Sequence, residues 1–175
     1  VEHDGPTRVL LLEDNEDHAL LLVMALRKEG FQVAHKRVET RGAFLAALRE
    51  QTWDVVLSDY TLPAFDGLSA ISLARERAPD LPVIMVSGTM GEEFAVEAMR
   101  AGARDYVVKG RLDRLGPAVR REVQEARERA RQRETEQDLA RSRELLAAVF
   151  DSVQDAIFIH DAQGRILTVN QRMLD

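Results

Sequence analysis

The sequence predicts an open, doubly wound α/β domain on a five-stranded parallel sheet, followed by a long helix and a short β-hairpin. Three observations carry this expectation. Between residues 8 and 109, short aliphatic runs alternate with longer segments whose apolar residues recur at helical spacing. Most of those runs are continuously apolar, as befits strands buried on both faces of a parallel sheet. After Gly110 the apolar spacing is helical throughout, while Arg and Glu fill most other positions.

The strand candidates are RVLLL (8–12), QVAHKRV (32–38), DVVLSD (54–59), PVIMVS (82–87) and DYVVK (105–109). Helices are expected near 16–29, 40–50, 67–77 and 92–101, with Gly30 and Gly102 as C-terminal caps and Pro79 and Pro82 closing the third. Asn15 suits an N-cap, and Glu16 and Asp17 then meet the positive end of the first helix dipole. The run ALLLVMAL (19–26) reads as core-facing helix, broad enough to leave part of its surface for a partner. Next, Leu112, Leu115, Val119, Val123, Ala126 and Ala130 predict one long helix over 112–150 that continues the last helix of the α/β domain. Eight arginines and seven acids between Arg120 and Glu144 nearly cancel, which suits a solvated helix or coiled coil better than a DNA-binding region. A seam at Leu139, Leu146, Val149 and Val153, interrupted by Arg133 and Gln137, points to a homodimer through this helix. The segment 151–175 reads as AIFIH, a turn at DAQG, and RILTVN. Two strands alone are marginal, so the sequence is expected to stop inside a second domain.

Composition narrows the function classes. A chain of 175 residues that is 45% hydrophobic can bury one ordinary core and something smaller. It contains no cysteine, and its four histidines are scattered, which leaves disulfides, thiolate metal sites and a histidine cluster out of account. No run approaches the roughly 18 apolar residues of a membrane span, and the first residues do not read as a secretory leader. The expectation is a cytoplasmic protein without a membrane partner. A formal charge of −6 argues against direct nucleic-acid binding.

The strand ends carry the chemistry. Glu13 and Asp14 follow the first strand, Asp59 ends the third, Ser87 the fourth and Lys109 the fifth, all on the edge where such sheets bind ligands. Three carboxylates about 4 Å apart repel by roughly 4 kcal/mol per pair at an effective dielectric near 20, so a cation is expected among them. An oxygen-only donor set favours Mg²⁺, with Mn²⁺ possible. With Lys109 as fixed charge and Ser87 as hydroxyl donor, the group suits phosphoryl chemistry on a carboxylate nucleophile. His18, His35 and His160 read as surface residues without a catalytic role.

In these residues the segment 8–122 resembles the receiver domain of a two-component response regulator, with a CheY-like, flavodoxin-like (βα)5 fold. The likeness rests on the pair Glu13-Asp14, the motif DYTLPAFDG from Asp59, Ser87 in VSGT, and Tyr106 and Lys109 in DYVVK. It implies that Asp59 takes a phosphoryl group from a phosphohistidine of a sensor histidine kinase or histidine phosphotransfer protein. It also implies that Asp14, Asp59 and the carbonyl of Thr61 coordinate Mg²⁺, with Glu13 acting directly or through water. Ser87 and Lys109 would bind phosphoryl oxygens, and Tyr106 would turn inward with Ser87. Gly110 stands where the family usually has proline, which predicts a looser loop, and Gly88 predicts an open site. Thr61 and Thr89 are placed to tune hydrolysis of the acyl phosphate. Residues 145–175 resemble the start of a PAS domain. The resulting division is a receiver over 1–122, the helix over 112–150, and a PAS-like fragment over 151–175.

Competing functions remain open at this point. A haloacid-dehalogenase-like phosphohydrolase needs an acid two residues after its nucleophile, where this chain has Thr61. A flavodoxin-like cofactor carrier needs a phosphate loop after the first strand, where this chain has acids. A degenerate receiver serving as a dimerisation platform would share every fold-level feature.

Overall fold

The computed structural model describes residues 5–63, 65–88, 92–153, 155 and 157–170. Its elements run β1 (Thr7–Leu12), α1 (Glu16–Lys28), β2 (Val33–Val38), α2 (Arg41–Glu50), β3 (Val55–Asp59), α3 (Gly67–Arg77), β4 (Val83–Ser87), α4 (Glu92–Ala101), β5 (Asp105–Val108), a 3-10 helix (Lys109–Arg114), α5 (Leu115–Ser152), β6 (Phe158–His160) and β7 (Ile166–Val169). The first five strands form one parallel sheet in the order β2-β1-β3-β4-β5. A fold of parallel strands with helices between them is thus found, as expected.

Residues of β1 alternate between two cores because successive side chains point to opposite faces. Leu10 and Leu12 join Phe44, Val56, Ile71 and Met85 on one side. Val9 and Leu11 join Leu22, Leu26, Leu57, Leu115 and Val119 on the other, beneath α1 and α5. Each buried leucine contributes about 1.5–3 kcal/mol relative to exposure, so this double layer is the main force fixing the strand ends. The apolar run of α1 divides its faces: Ala19, Leu22, Val23 and Leu26 are buried, whereas Leu20, Leu21 and Met24 are about half exposed.

The helix ends follow the sequence closely. Asn15 Oδ1 accepts the His18 N–H at 3.1 Å and starts α1. Gly30 and Gly102 take φ of 88° and 108°, the left-handed conformation in which a side chain is strained. Two boundaries differ from expectation. β5 stops at Val108, so Lys109 opens the 3-10 helix instead of ending the strand. Helix α5 begins at Leu115, not 112, because Arg111 leaves helical geometry at φ −136°, ψ 55° and breaks the segment there. Gly110 lies inside this 3-10 helix with no positive φ.

The chain divides into two compact units between Arg129 and Ala130. In the second, β6 and β7 pair antiparallel, as the hairpin reading predicts. Asp161 builds the turn by accepting the N–H groups of Gln163 and Arg165, both at 2.9 Å, and Gly164 completes it at φ 81°. Buried Asn170 accepts the Ile157 N–H and donates to the Asp155 carbonyl, both at 2.8 Å. Residues 171–175 of the expected PAS-like fragment lie outside the described residues. No helix among the described residues is long and apolar enough to cross a membrane.

Candidate functional site

Strand order reverses at β1 and β3, so side chains leaving their carboxyl ends meet in one crevice. Glu13 follows β1 and is 1% exposed; its N–H donates to the Val38 carbonyl at 3.1 Å. Asp14 is exposed. Arg37 Nη1, from β2, donates to the carbonyls of both Glu13 and Asp14 at 3.1 Å and fixes the peptide that orients them. Asp59 ends β3, and its Oδ1 accepts the Thr61 N–H at 3.3 Å. Behind it, α3 starts so close that a Cβ on Gly67 would lie 2.6 Å from the Asp59 carbonyl oxygen and overlap Met85 Cε. Only glycine permits that approach.

One carboxylate oxygen from each of Glu13, Asp14 and Asp59 lies within 4.8 Å of the other two. Lys109 Nζ donates to Asp59 Oδ2 at 2.7 Å and to Glu13 Oε2 at 2.8 Å. Burial pulls the Lys109 pKa down, but the hydrogen bonds to Asp59 and Glu13, with their charges, outweigh it and raise the pKa above the ordinary lysine value. The acid cluster expected to hold a cation is thus present, with the fixed charge of Lys109 beside it. The chain's own ammonium offsets two of the three, and Asp14 faces solvent beside them.

The remaining expected residues lie on the neighbouring strands and loops. Ser87 closes β4 and is 2% exposed. Sheet register sets Val86 against Asp59 and Ser87 against Val108, which puts Ser87 between the ends that carry Asp59 and Lys109. Tyr106 is half-buried on β5, opposite Met85, and packs against the core on the α4 side of the sheet. Thr61 and Gly88 are exposed, and a Cβ on Gly88 would meet nothing within 4 Å, in keeping with an open site. Thr89 lies outside the described residues.

Two further side chains belong to the neighbourhood. His18 Nδ1 is 3.1 Å from Lys109 Nζ. No motif points to it, yet a signal exists: in the first turn of a helix the Cα–Cβ bonds tilt toward the N-terminus, and α1 starts directly beyond the acidic pair. Tyr60, next to Asp59, donates its hydroxyl to Glu97 Oε2 of α4 at 2.8 Å and packs against Phe94 with ring centroids 4.9 Å apart and planes tilted by 55°. That hydrogen bond, then burial and the charge of Glu97, raise the Tyr60 pKa.

Comparison with known proteins agrees with this geometry. The family profile of the response regulator receiver domain matches residues 9–120, and that of the PAS domain matches residues 144–175. Transcriptional regulatory protein ZraR of Salmonella typhimurium is 30% identical over 125 residues, which are 71% of this chain and 28% of that protein. Response regulator protein FleR of Pseudomonas aeruginosa is 36% identical over 102 residues, 58% of this chain and 21% of its own length. The chain thus spans well under half of these relatives. Among solved structures, a CheY-like receiver domain protein of Methanospirillum hungatei superposes with a TM-score of 0.61 at 25% identity, covering 71% of this chain and 99% of its own. NtrX of Brucella abortus gives a TM-score of 0.65 at 27% identity over 75% of this chain and 30% of its own. Profile, sheet order and the acid cluster at the strand ends agree: the chain belongs to the response regulator receiver domain family of two-component systems.

Proposed function

We propose that Asp59 accepts a phosphoryl group from a phosphohistidine of a sensor histidine kinase or histidine phosphotransfer protein, and that the aspartyl phosphate switches α5. The observation that carries this reading is the Lys109 ammonium, 2.7 Å from Asp59 Oδ2 and beside three convergent carboxylates. In the transfer, an Asp59 oxygen bonds to phosphorus as the P–N bond of the donor breaks. The bonding pair stays on the donor imidazole, which takes a proton from water.

The donor set fits Mg²⁺ or Mn²⁺: it offers only oxygens, brought within 4.8 Å of one another, and the exposed Asp14 leaves room for retained water. Glu13, Asp14, Asp59 and the Thr61 carbonyl would hold the ion, which when bound neutralises charge on the phosphoryl oxygens. Once Asp59 is phosphorylated, Lys109 donors turn from its carboxylate to the phosphoryl oxygens of the acyl phosphate, and the Ser87 hydroxyl donates to another. Tyr106 follows Ser87 inward, and the change reaches α4, β5 and α5. A coupling of about 1–3 kcal/mol suffices to shift a helix pairing. The receiver then comprises 1–122, the signalling helix 112–150 and the PAS-like segment 151–175. Two copies of the chain pair through α5, where Leu139, Leu146 and Val149 are exposed.

Receiver domains are generally not turnover enzymes, and the test uses that distinction. Incubation with phosphoramidate and Mg²⁺ is expected to label the protein once per chain, with no label in Asp59→Asn or in the presence of a chelator. Continuous phosphate release without accumulated label would favour a phosphohydrolase. Absence of label in the unaltered protein would favour a dimerisation platform.

A further inference from the structure

His18 closes a ring of hydrogen bonds around the candidate site. Glu13 Oε1 accepts the Asn15 N–H at 3.2 Å, and Asn15 Oδ1 accepts the His18 N–H at 3.1 Å. His18 Nδ1 lies 3.1 Å from Lys109 Nζ, and Lys109 donates back to Glu13 Oε2 at 2.8 Å. An ammonium has three donors and no lone pair, so His18 Nδ1 is the acceptor in its contact with Lys109. The alternative pairing of Nδ1 with Glu13 Oε1 spans 3.6 Å, beyond a good hydrogen bond. The three donors of Lys109 are thus matched by Glu13, Asp59 and His18.

We propose that His18 is a positioning residue that keeps Lys109 at the mouth of the site while the carboxylates change partners. The proposal rests on the phosphoacceptor reading of Asp59. Two acceptors of Lys109 belong to the acid cluster, where a divalent cation or a phosphoryl group would compete with it for their lone pairs. A lysine side chain has a flexible stem and a strongly hydrated head, so without another anchor it turns out into water. The acceptor on α1 lies outside that cluster. Its backbone is pinned by the same Asn15 cap that starts the helix, and its side chain is 46% exposed at the rim. His18 therefore holds one donor of Lys109 and leaves two to turn toward phosphoryl oxygens.

Two measurements test this, one of them independent of phosphorylation. At saturating Mg²⁺ and without a phosphodonor, the ¹⁵N-labelled ammonium of Lys109 should give a resolved NMR signal, because the hydrogen bond to His18 slows its proton exchange. That signal should vanish in His18→Leu and persist in His18→Asn, whose side-chain carbonyl stands where Nδ1 was. At saturating Mg²⁺, labelling of Asp59 by phosphoramidate should slow about tenfold in His18→Leu, the ordinary worth of one hydrogen bond to a charged group. His18→Asn should recover most of the rate, and the Mg²⁺ concentration giving half the maximal rate should be unchanged in both. A wild-type rate and signal in His18→Leu, an equal defect in His18→Asn, or an effect on the Mg²⁺ requirement alone would each overturn the assignment. If the unaltered protein takes no label, the phosphoacceptor reading fails, and the ammonium signal still decides whether His18 anchors Lys109.

Discussion

The two ends of α5 are one helix in opposite surroundings. Up to Ala126 it buries Leu115, Ala118, Val119 and Val123 against the sheet, and even Glu122 is 4% exposed, bonded to Arg121 Nε at 2.9 Å. Beyond Ala130, Leu139, Leu145, Leu146 and Val149 are 52–66% exposed. Apolar residues recur at helical spacing in both stretches, so periodicity alone does not separate them. What separates them is whether the chain supplies the opposing surface. The first stretch is held by its own domain. The second is a polar helix with a bare seam, and most helical stability in proteins comes from packing such a face against something.

The largest expected effect tests the first stretch. Leu115→Ala removes a side chain with no exposed surface and should destabilise the receiver by about 2–5 kcal/mol, read from urea unfolding. Leu146→Ala should change the same unfolding by less than about 0.5 kcal/mol, since surface positions outside special contacts cost little. Equal costs at the two positions would erase the distinction between the stretches.

The second stretch is tested by association. The double change Leu139→Ser and Leu146→Ser should weaken self-association at least about tenfold in analytical ultracentrifugation, a difference near 1.4 kcal/mol. In hydrogen exchange, protection over 131–149 should rise with protein concentration, while that over 115–126 should not. Monomers at every concentration, or a dimer indifferent to both serines, would sink the pairing assigned to α5.

How far the sequence discloses such contrasts depends on what each feature requires. Strand cores, the caps at Asn15, Gly30 and Gly102, and the meeting of Glu13, Asp59 and Lys109 are legible because each follows from local pattern plus the rule for strand ends. The start of α5 is not legible from apolar spacing, because a break at Arg111 is a backbone event between residues that still fit a helical pattern. Pro117 is the overlooked signal: it lacks an N–H, and a first turn beginning at Leu115 needs none there. The place of His18 beside Lys109 is a matter of reach across the site, between residues 91 apart in sequence. The Tyr60–Glu97 link depends on how α4 packs beside α3 and β5, which no motif encodes.

The smallest expected effect compares how helices begin. Helices α1, α2 and α3 start on the side-chain caps Asn15, Thr40 and Asp66, whereas the 3-10 helix leading into α5 starts without one. Asp66 accepts the Ser69 N–H and the Ser69 hydroxyl, both at 2.7 Å. Those bonds, the backbone one first, lower its pKa below the ordinary carboxylate value. Asp66→Ala should therefore cost about 1 kcal/mol at neutral pH. The sign of its pH dependence follows from linkage: a depressed folded pKa gives stability that is fully present above the unfolded value of about 3.9 and is lost as pH falls through the folded value. The gap between wild type and Asp66→Ala should stay constant from neutrality to about pH 5 and close in stronger acid, whereas the gap for Leu115→Ala, which involves no proton, should persist wherever the receiver still folds. A cap gap that survives into acid would mean that Asp66 holds α3 by packing and not through its charged oxygens.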